Sequence, residues 1–229
     1  MPLPTTHDVV SALNRAYTGV TALVADLDDN DLLLPSGCRG WSIADLLYHM
    51  LLDAQRALVA FATPADGSSD VDYVTYWRGF PGAGDAEAAL AHGQWVRRSA
   101  AAFIRPRGIV RGWTETSAAA VHAAAAADPR GRVATQDHVL AVPDFIATLV
   151  TEAAIHHLDL IASLPQAPAP APEAMTIAVS TMEGLAGPSG LPQQWNARET
   201  LLKGSGRAEL TDTDRRAVGS RAAAFPLLS

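Results

Sequence analysis

The chain has 229 residues, long enough for one large domain or a domain with a small appendage. It is 48% hydrophobic and 18% charged, which excludes a disordered chain, and its formal charge of −7 argues against a nucleic-acid surface. Alanine is abundant and aromatics make up 6%, a balance that favours helix. Residues 1–8 carry no basic and apolar leader pattern, no stretch reads as a membrane span, and Cys38 is the one cysteine, so a cytoplasmic setting is expected.

Val9, Leu13, Ala16, Val20, Leu23, Val24 and Leu27 repeat at a helical period and predict a first helix over 5–27, with Thr6 as a candidate cap. Asp28 to Asp31 reads as a solvated acidic turn. Cys38, in the connection that follows, reads as a small packing residue. Ser42 and Asp45 have the spacing of a capping box and open a second helix to about residue 61, with His49 inside it. Residues 63–84 form a long connection holding Tyr73, Tyr76, Trp77 and Phe80, either a lid or a packed surface loop.

A third helix is expected over 85–104, with Ala89, Leu90, Trp95, Val96, Ala100 and Phe103 facing inward. An extra alanine-rich helix follows over 113–127, then an extended or irregular stretch over 132–142. Pro143 starts a fourth long helix in a good first-turn position. The alternating prolines of 165–172 read as a semi-rigid linker. Beyond it come a helix over 173–185, a Gly/Pro turn, a mixed tail and a short helix over 212–224. The expected division is a helical bundle over 1–164, the linker at 165–172 and a small C-terminal domain over 173–229.

On the fourth helix Glu152 and His156 stand one turn apart on the stripe that carries Phe145 and Leu149, whereas His157 is rotated away. A carboxylate directed at a core needs compensation, and a metal ion supplies it. His49 on the second helix completes a two-histidine, one-carboxylate set, which leaves coordination positions open as catalytic zinc sites do. Such donors also accept nickel, iron or manganese. Asp53 and Asp159 are candidates for orienting the imidazoles from behind.

The run from Trp41 to His49, followed by Glu152 to Asp159, resembles the mycothiol-dependent maleylpyruvate isomerase family, within the DinB-like metal-binding four-helix bundles. Gly204-Ser205-Gly206-Arg207, Leu210-Thr211, Asp214 to Arg216 and Phe225 to Leu228 resemble the tails of actinobacterial members. The resemblance implies a mainly α fold, a DinB-like four-helix bundle followed by a small α+β C-terminal domain. It implies His49, Glu152 and His156 as zinc ligands and mycothiol as co-substrate, activated as a thiolate for transfer to, or isomerisation of, a small electrophile. It also implies a substrate-holding arginine, for which Arg207 is the candidate. The expected partners are thus a small thiol and a small electrophile, with no nucleic acid or membrane, in a monomer or homodimer. A thiol-independent metal hydrolase and a non-catalytic ligand-binding module are the alternatives.

Overall fold

The computed structural model describes residues 5–79 and 86–228. Phe80, one of the loop aromatics, and Asp85, the expected start of the third helix, lie outside the described residues.

Helix α1 (Thr6–Ala25) is capped by Thr5 and Asp8 in a reciprocal capping box, one residue before the expected cap. It buries Val9, Leu13, Ala16, Val20, Leu23 and Val24, the stripe read from the sequence. The acidic stretch is a one-turn helix, α2 (Asp29–Leu32), capped by Asp28. Helix α3 (Ile43–Ala62) opens with Ser42 accepting from the Asp45 amide while Asp45 accepts from the Ser42 amide, as the spacing predicted.

Two helices exchange roles relative to the sequence reading. Helix α4 (Ala86–Ala100) packs on α3 from outside the bundle. It buries Val96 and Ala100, but Leu90 is 62% and Trp95 44% exposed, and Ala89 is exposed too. The third member of the bundle is instead the alanine-rich α5 (Arg107–Ala126), which packs against α1 and α3. Its buried face is Ile109, Val110, Trp113, Ser117, Ala120 and Ala124. Small side chains let it approach closely: a Cβ on Gly112 would stand 3.2 Å from Leu51 of α3.

Strands β1 (Arg132–Thr135) and β2 (His138–Ala141) form an antiparallel hairpin in the stretch expected to be extended or irregular. Its turn places Gln136 and Asp137 at positive φ. The preceding connection is strapped onto it: Ala65 donates to the Arg132 carbonyl, and Asp70 pairs with His138 and the Val139 amide. Tyr73, Tyr76 and Trp77 are buried, so this part of the long connection is packed cover.

Helix α6 (Val142–Leu160) has proline in its first turn and is buried on nearly every side. By length and apolarity Val142–Ser163 is long enough to cross a membrane, contrary to the sequence reading, but 83% of its apolar window is inside the protein. It is the core helix. Helices α1, α3, α5 and α6 close the bundle, and α7 (Pro172–Ala186) lies on α6 and α1. Helices α8 (Ala197–Gly204) and α9 (Asp212–Val218) follow. Ala174, Ile177, Ala178, Met182 and Leu201 belong to the same apolar cluster as the bundle residues, so the core runs on past the linker. The fold is mainly α; the strands precede the linker, and the regular elements among the described residues after it are helices.

Candidate metal centre

The helical period of α6 turns Glu152 and His156 to one side, and α3 brings His49 opposite them. His156 Nε2 stands 3.5 Å from Glu152 Oε2, and His49 Nε2 stands 4.0 Å from Glu152 Oε1. The two imidazoles meet edge to face with centroids 5.0 Å apart. All three donor atoms lie within 4.8 Å of one another. Bonds of about 2 Å to one ion put tetrahedral donors roughly 3.3 Å apart, so small side-chain rotations would close the triad on a metal.

Each imidazole is held from outside. His156 Nδ1 donates to Asp159 Oδ2 at 2.9 Å, which fixes the tautomer that leaves Nε2 facing Glu152. His49 packs at a tilt against Trp41 and edge-on to His92 of α4. Asp53 is placed differently from an orienting group. Its Oδ2 lies 3.5 Å from His49 Nε2, the nitrogen that faces the cluster, while Oδ1 accepts from Arg56 at 2.8 Å. Asp53 Oδ2 is buried and has no hydrogen-bond partner. An orphaned carboxylate oxygen beside three convergent donors is what a bound cation would compensate, so the residues fit a metal ion.

Burial drives the His49 pKa down to about 4, with the charges of His156 and His92 acting in the same direction and Asp53 opposing them. Its lone pair is therefore free at neutral pH. For His156, burial favours the neutral ring, but the Glu152 charge and the bonds to Asp159 and Cys38 outweigh it and hold its pKa well above the usual value. Burial raises Glu152, partly offset by His156. Tyr17, which with Met50, Trp113 and Leu149 walls a small cavity at the cluster, is also raised by burial and stays a neutral phenol.

Behind His156 lies a second group of side chains. Asp159 is 2% exposed and accepts from Arg207 Nε at 2.9 Å on both oxygens and from Arg207 Nη2 at 2.9 Å. Cys38 Sγ donates to Asp159 Oδ2 at 3.3 Å and lies 3.8 Å from His156 Nδ1. Burial works against the Asp159 charge, yet His156 and Arg207 hold its pKa well below the usual carboxylate range. Arg207 therefore meets a carboxylate of its own chain. His157, as the helical phase required, leaves the cluster: its Nε2 donates to the Pro168 carbonyl at 3.1 Å.

Cys38 and His92 have places at the centre that their sequence positions did not announce, whereas helical projection already puts Arg56 on the side of His49. Cys38 sits in a loop 118 residues from His156, with no periodicity to orient it. A signal existed for His92, a histidine within an expected helix, but not for its proximity to His49.

The sequence profile of the mycothiol maleylpyruvate isomerase N-terminal domain matches residues 13–161, which contain all three donors of the cluster. Among solved structures, the chain is similar to a mycothiol-dependent maleylpyruvate isomerase, with a TM-score of 0.51 and 12% identity over 80% of this chain and 72% of that one. A histidine-to-alanine mutant of that enzyme matches equally well. No curated protein sequence matches.

Proposed function

The chain belongs to the mycothiol maleylpyruvate isomerase N-terminal domain family, and from that membership we propose that it is a cytoplasmic enzyme that binds mycothiol and uses it on a small electrophile. The observation that carries the reading is the convergence of His49, Glu152 and His156 from two facing helices, with a buried carboxylate oxygen left open beside them. These three residues would hold the ion. Zinc fits the donor set, and nickel, iron or manganese are compatible with it. When bound, the ion supplies the positive charge that keeps a thiol sulfur deprotonated at neutral pH.

The chain's own groups do the rest. Asp159 fixes the His156 ring, and His49 offers a neutral nitrogen. Asp53 Oδ2 presents an acceptor at the cluster for an incoming donor such as a thiol proton. Tyr17, Met50, Trp113 and Leu149 exclude water from the inner wall, which strengthens each electrostatic contact there. The electrophile then accepts the sulfur, and either the adduct is kept, as in a transfer, or the thiol leaves after rotation about the former double bond, as in an isomerisation. Arg207 offers a substrate carboxylate only those N–H groups not directed at Asp159, Ser205 and Cys38, so any anchoring role is subordinate to its ion pair.

Elemental analysis of the purified chain tests the centre. One metal per chain, lost in His49→Ala and in His156→Ala, is expected. Incubation of the metal-loaded protein with mycothiol and maleylpyruvate-like electrophiles tests the chemistry, and product should form only with thiol present. A metal-loaded protein that neither binds nor consumes mycothiol would falsify the reading. The open Asp53 oxygen also suits a bound water, so turnover without thiol would point to a hydrolase.

A further inference from the structure

Arg207 reaches the centre through a turn that the tail holds in place. Helix α8 ends at Gly204, Ser205 caps it, and Gly206 adopts φ 73°. A Cβ at Gly206 would stand 3.1 Å from Pro226. The Leu227 amide donates to the Gly204 carbonyl at 2.7 Å, and the Arg207 amide donates to the Leu202 carbonyl at 2.8 Å. The guanidinium is fixed in turn: Nη1 donates to the Ser205 carbonyl at 3.1 Å, while Nε and Nη2 lie along both oxygens of Asp159. Each of these bonds limits the freedom of the Asp159 carboxylate. That carboxylate is the group that sets the rotation and tautomer of His156.

We propose that Arg207 is a positioning residue of the metal centre, acting on His156 through Asp159, so that the segment after the linker is a structural part of the centre. The proposal rests on the metal-binding reading above and not on the identity of the thiol or the electrophile. Two features support it. The chain His156–Asp159–Arg207 is continuous, with a 2.9 Å bond at each step. The arrangement is also selective for arginine, because a forked guanidinium spans both carboxylate oxygens and a lysine ammonium, as a point charge, does not. Removing the fork would leave Asp159 held by Cys38 and His156 alone, and the ring would lose its fixed orientation. Groups that orient metal-binding imidazoles from behind change metal affinity even though they never touch the ion. The linkage is reciprocal, so metal binding must also favour the docked position of residues 204–228.

Cobalt(II) titration of the full chain against a chromophoric chelator tests this without any turnover. Arg207→Ala should bind cobalt roughly tenfold more weakly than the wild type, at the lower end of outer-sphere effects. Its cobalt absorption bands should also shift, as expected when one imidazole is no longer fixed. Arg207→Lys should fall between the two, and it carries the comparison if the alanine variant does not fold. Lys203→Ala serves as the control, because it lies in the same segment but is directed at Glu199 and Asp214; it should bind cobalt as the wild type does. Equal affinity and equal spectra in wild type and the Arg207 variants would overturn the proposal. So would a loss of affinity in Lys203→Ala as large as that in Arg207→Ala, which would mark general loosening of the segment. A wild-type chain that binds no cobalt overturns the metal centre, and the proposal with it; a chain that binds cobalt but no mycothiol leaves the proposal standing and removes only the thiol reading.

Discussion

Asp159 is enclosed tightly enough that even its backbone neighbour is constrained. The Gly37 amide donates to the Asp159 carbonyl at 2.8 Å. A Cβ at Gly37 would stand 2.6 Å from Asp159 Oδ1 and 2.9 Å from its Cα, and a backbone atom does not rotate aside. Gly37→Ala is therefore expected to destabilise the protein by roughly 1–3 kcal/mol, the usual cost of forcing extra volume into a packed site, measured by urea denaturation. Gly19 makes the contrast. A Cβ there meets His157 Cε1 at 3.5 Å, an ordinary contact, and Gly19 lies inside α1. Gly19→Ala should be neutral or stabilise by up to about 1 kcal/mol, because alanine is the better helix former. Equal losses in the two variants would show that the Gly37 contact is not what matters. Neither difference is legible in the sequence, where both are glycines among small residues. Glu152, His156 and His49 were legible because helical spacing converts position into direction. Asp159 was legible for the same reason, three residues from His156 on one helix, but Cys38 and Arg207 reach it from a loop and a distant turn, where no period links them.

At the scale of elements, the exchange between α4 and α5 has a physical cause. Periodicity is read from large apolar residues, and α4 has Leu90 and Trp95, whereas the second half of α5 is mostly alanine. Burial in a bundle depends on close approach as much as on apolar area, and Ser117, Ala120 and Ala124 give α5 a narrow face that fits between α1 and α3. Ala120→Leu should therefore cost roughly 1–3 kcal/mol by overpacking, while Leu90→Ala on the exposed face of α4 should change stability by less than about 0.5 kcal/mol. Thermal melts of both variants measure this, and a larger loss in the α4 variant would restore α4 to the core. Beyond the linker, α8 and α9 are joined by Asp214. It caps α9 through Thr211, accepts from Trp195 Nε1 at 2.5 Å and pairs with Lys203 at 3.0 Å. Burial alone would raise its pKa, but these bonds outweigh it and hold the carboxyl well below the usual range. A depressed carboxyl stabilises the fold above its unfolded pKa of about 3.9 and loses that contribution as the pH falls toward the folded value. Urea melts at pH 7 and pH 3 should show the wild type losing more stability than Asp214→Asn, which starts lower. Equal losses in the two proteins would mean that Asp214 carries none of the acid sensitivity.

For the molecule as a whole, the proline-rich stretch separates two segments in sequence but not in the core. Composition marks a linker wherever prolines alternate, yet it carries no information about what the next helix packs on. Here the apolar face of α7 (Ala174, Ile177, Ala178 and Met182) joins the bundle core, the Thr151 and Thr181 hydroxyls meet at 3.0 Å, and His157 binds the linker's Pro168 carbonyl. Segments that share buried surface to this extent unfold together. The donors of the metal centre lie on α3 and α6, so any ligand of the folded state stabilises the whole unit. At a free zinc concentration 100 times the dissociation constant, linkage gives about 2.7 kcal/mol. For a chain of this size each kcal/mol moves the midpoint by about 2–4 °C, so zinc should raise it by roughly 5–10 °C. The shift should vanish in His49→Ala, whose apo protein should melt close to the apo wild type. The fluorescence of Trp195, which sits in the C-terminal segment against Asp214 and Lys203, should report the same zinc-dependent midpoint as calorimetry of the whole chain. Comparison of the wild type with Trp195→Phe isolates that signal. A Trp195 transition that stays in place while the main transition moves would mean that the C-terminal segment melts by itself, and that the core observed across the linker is too weak to couple it to the metal centre.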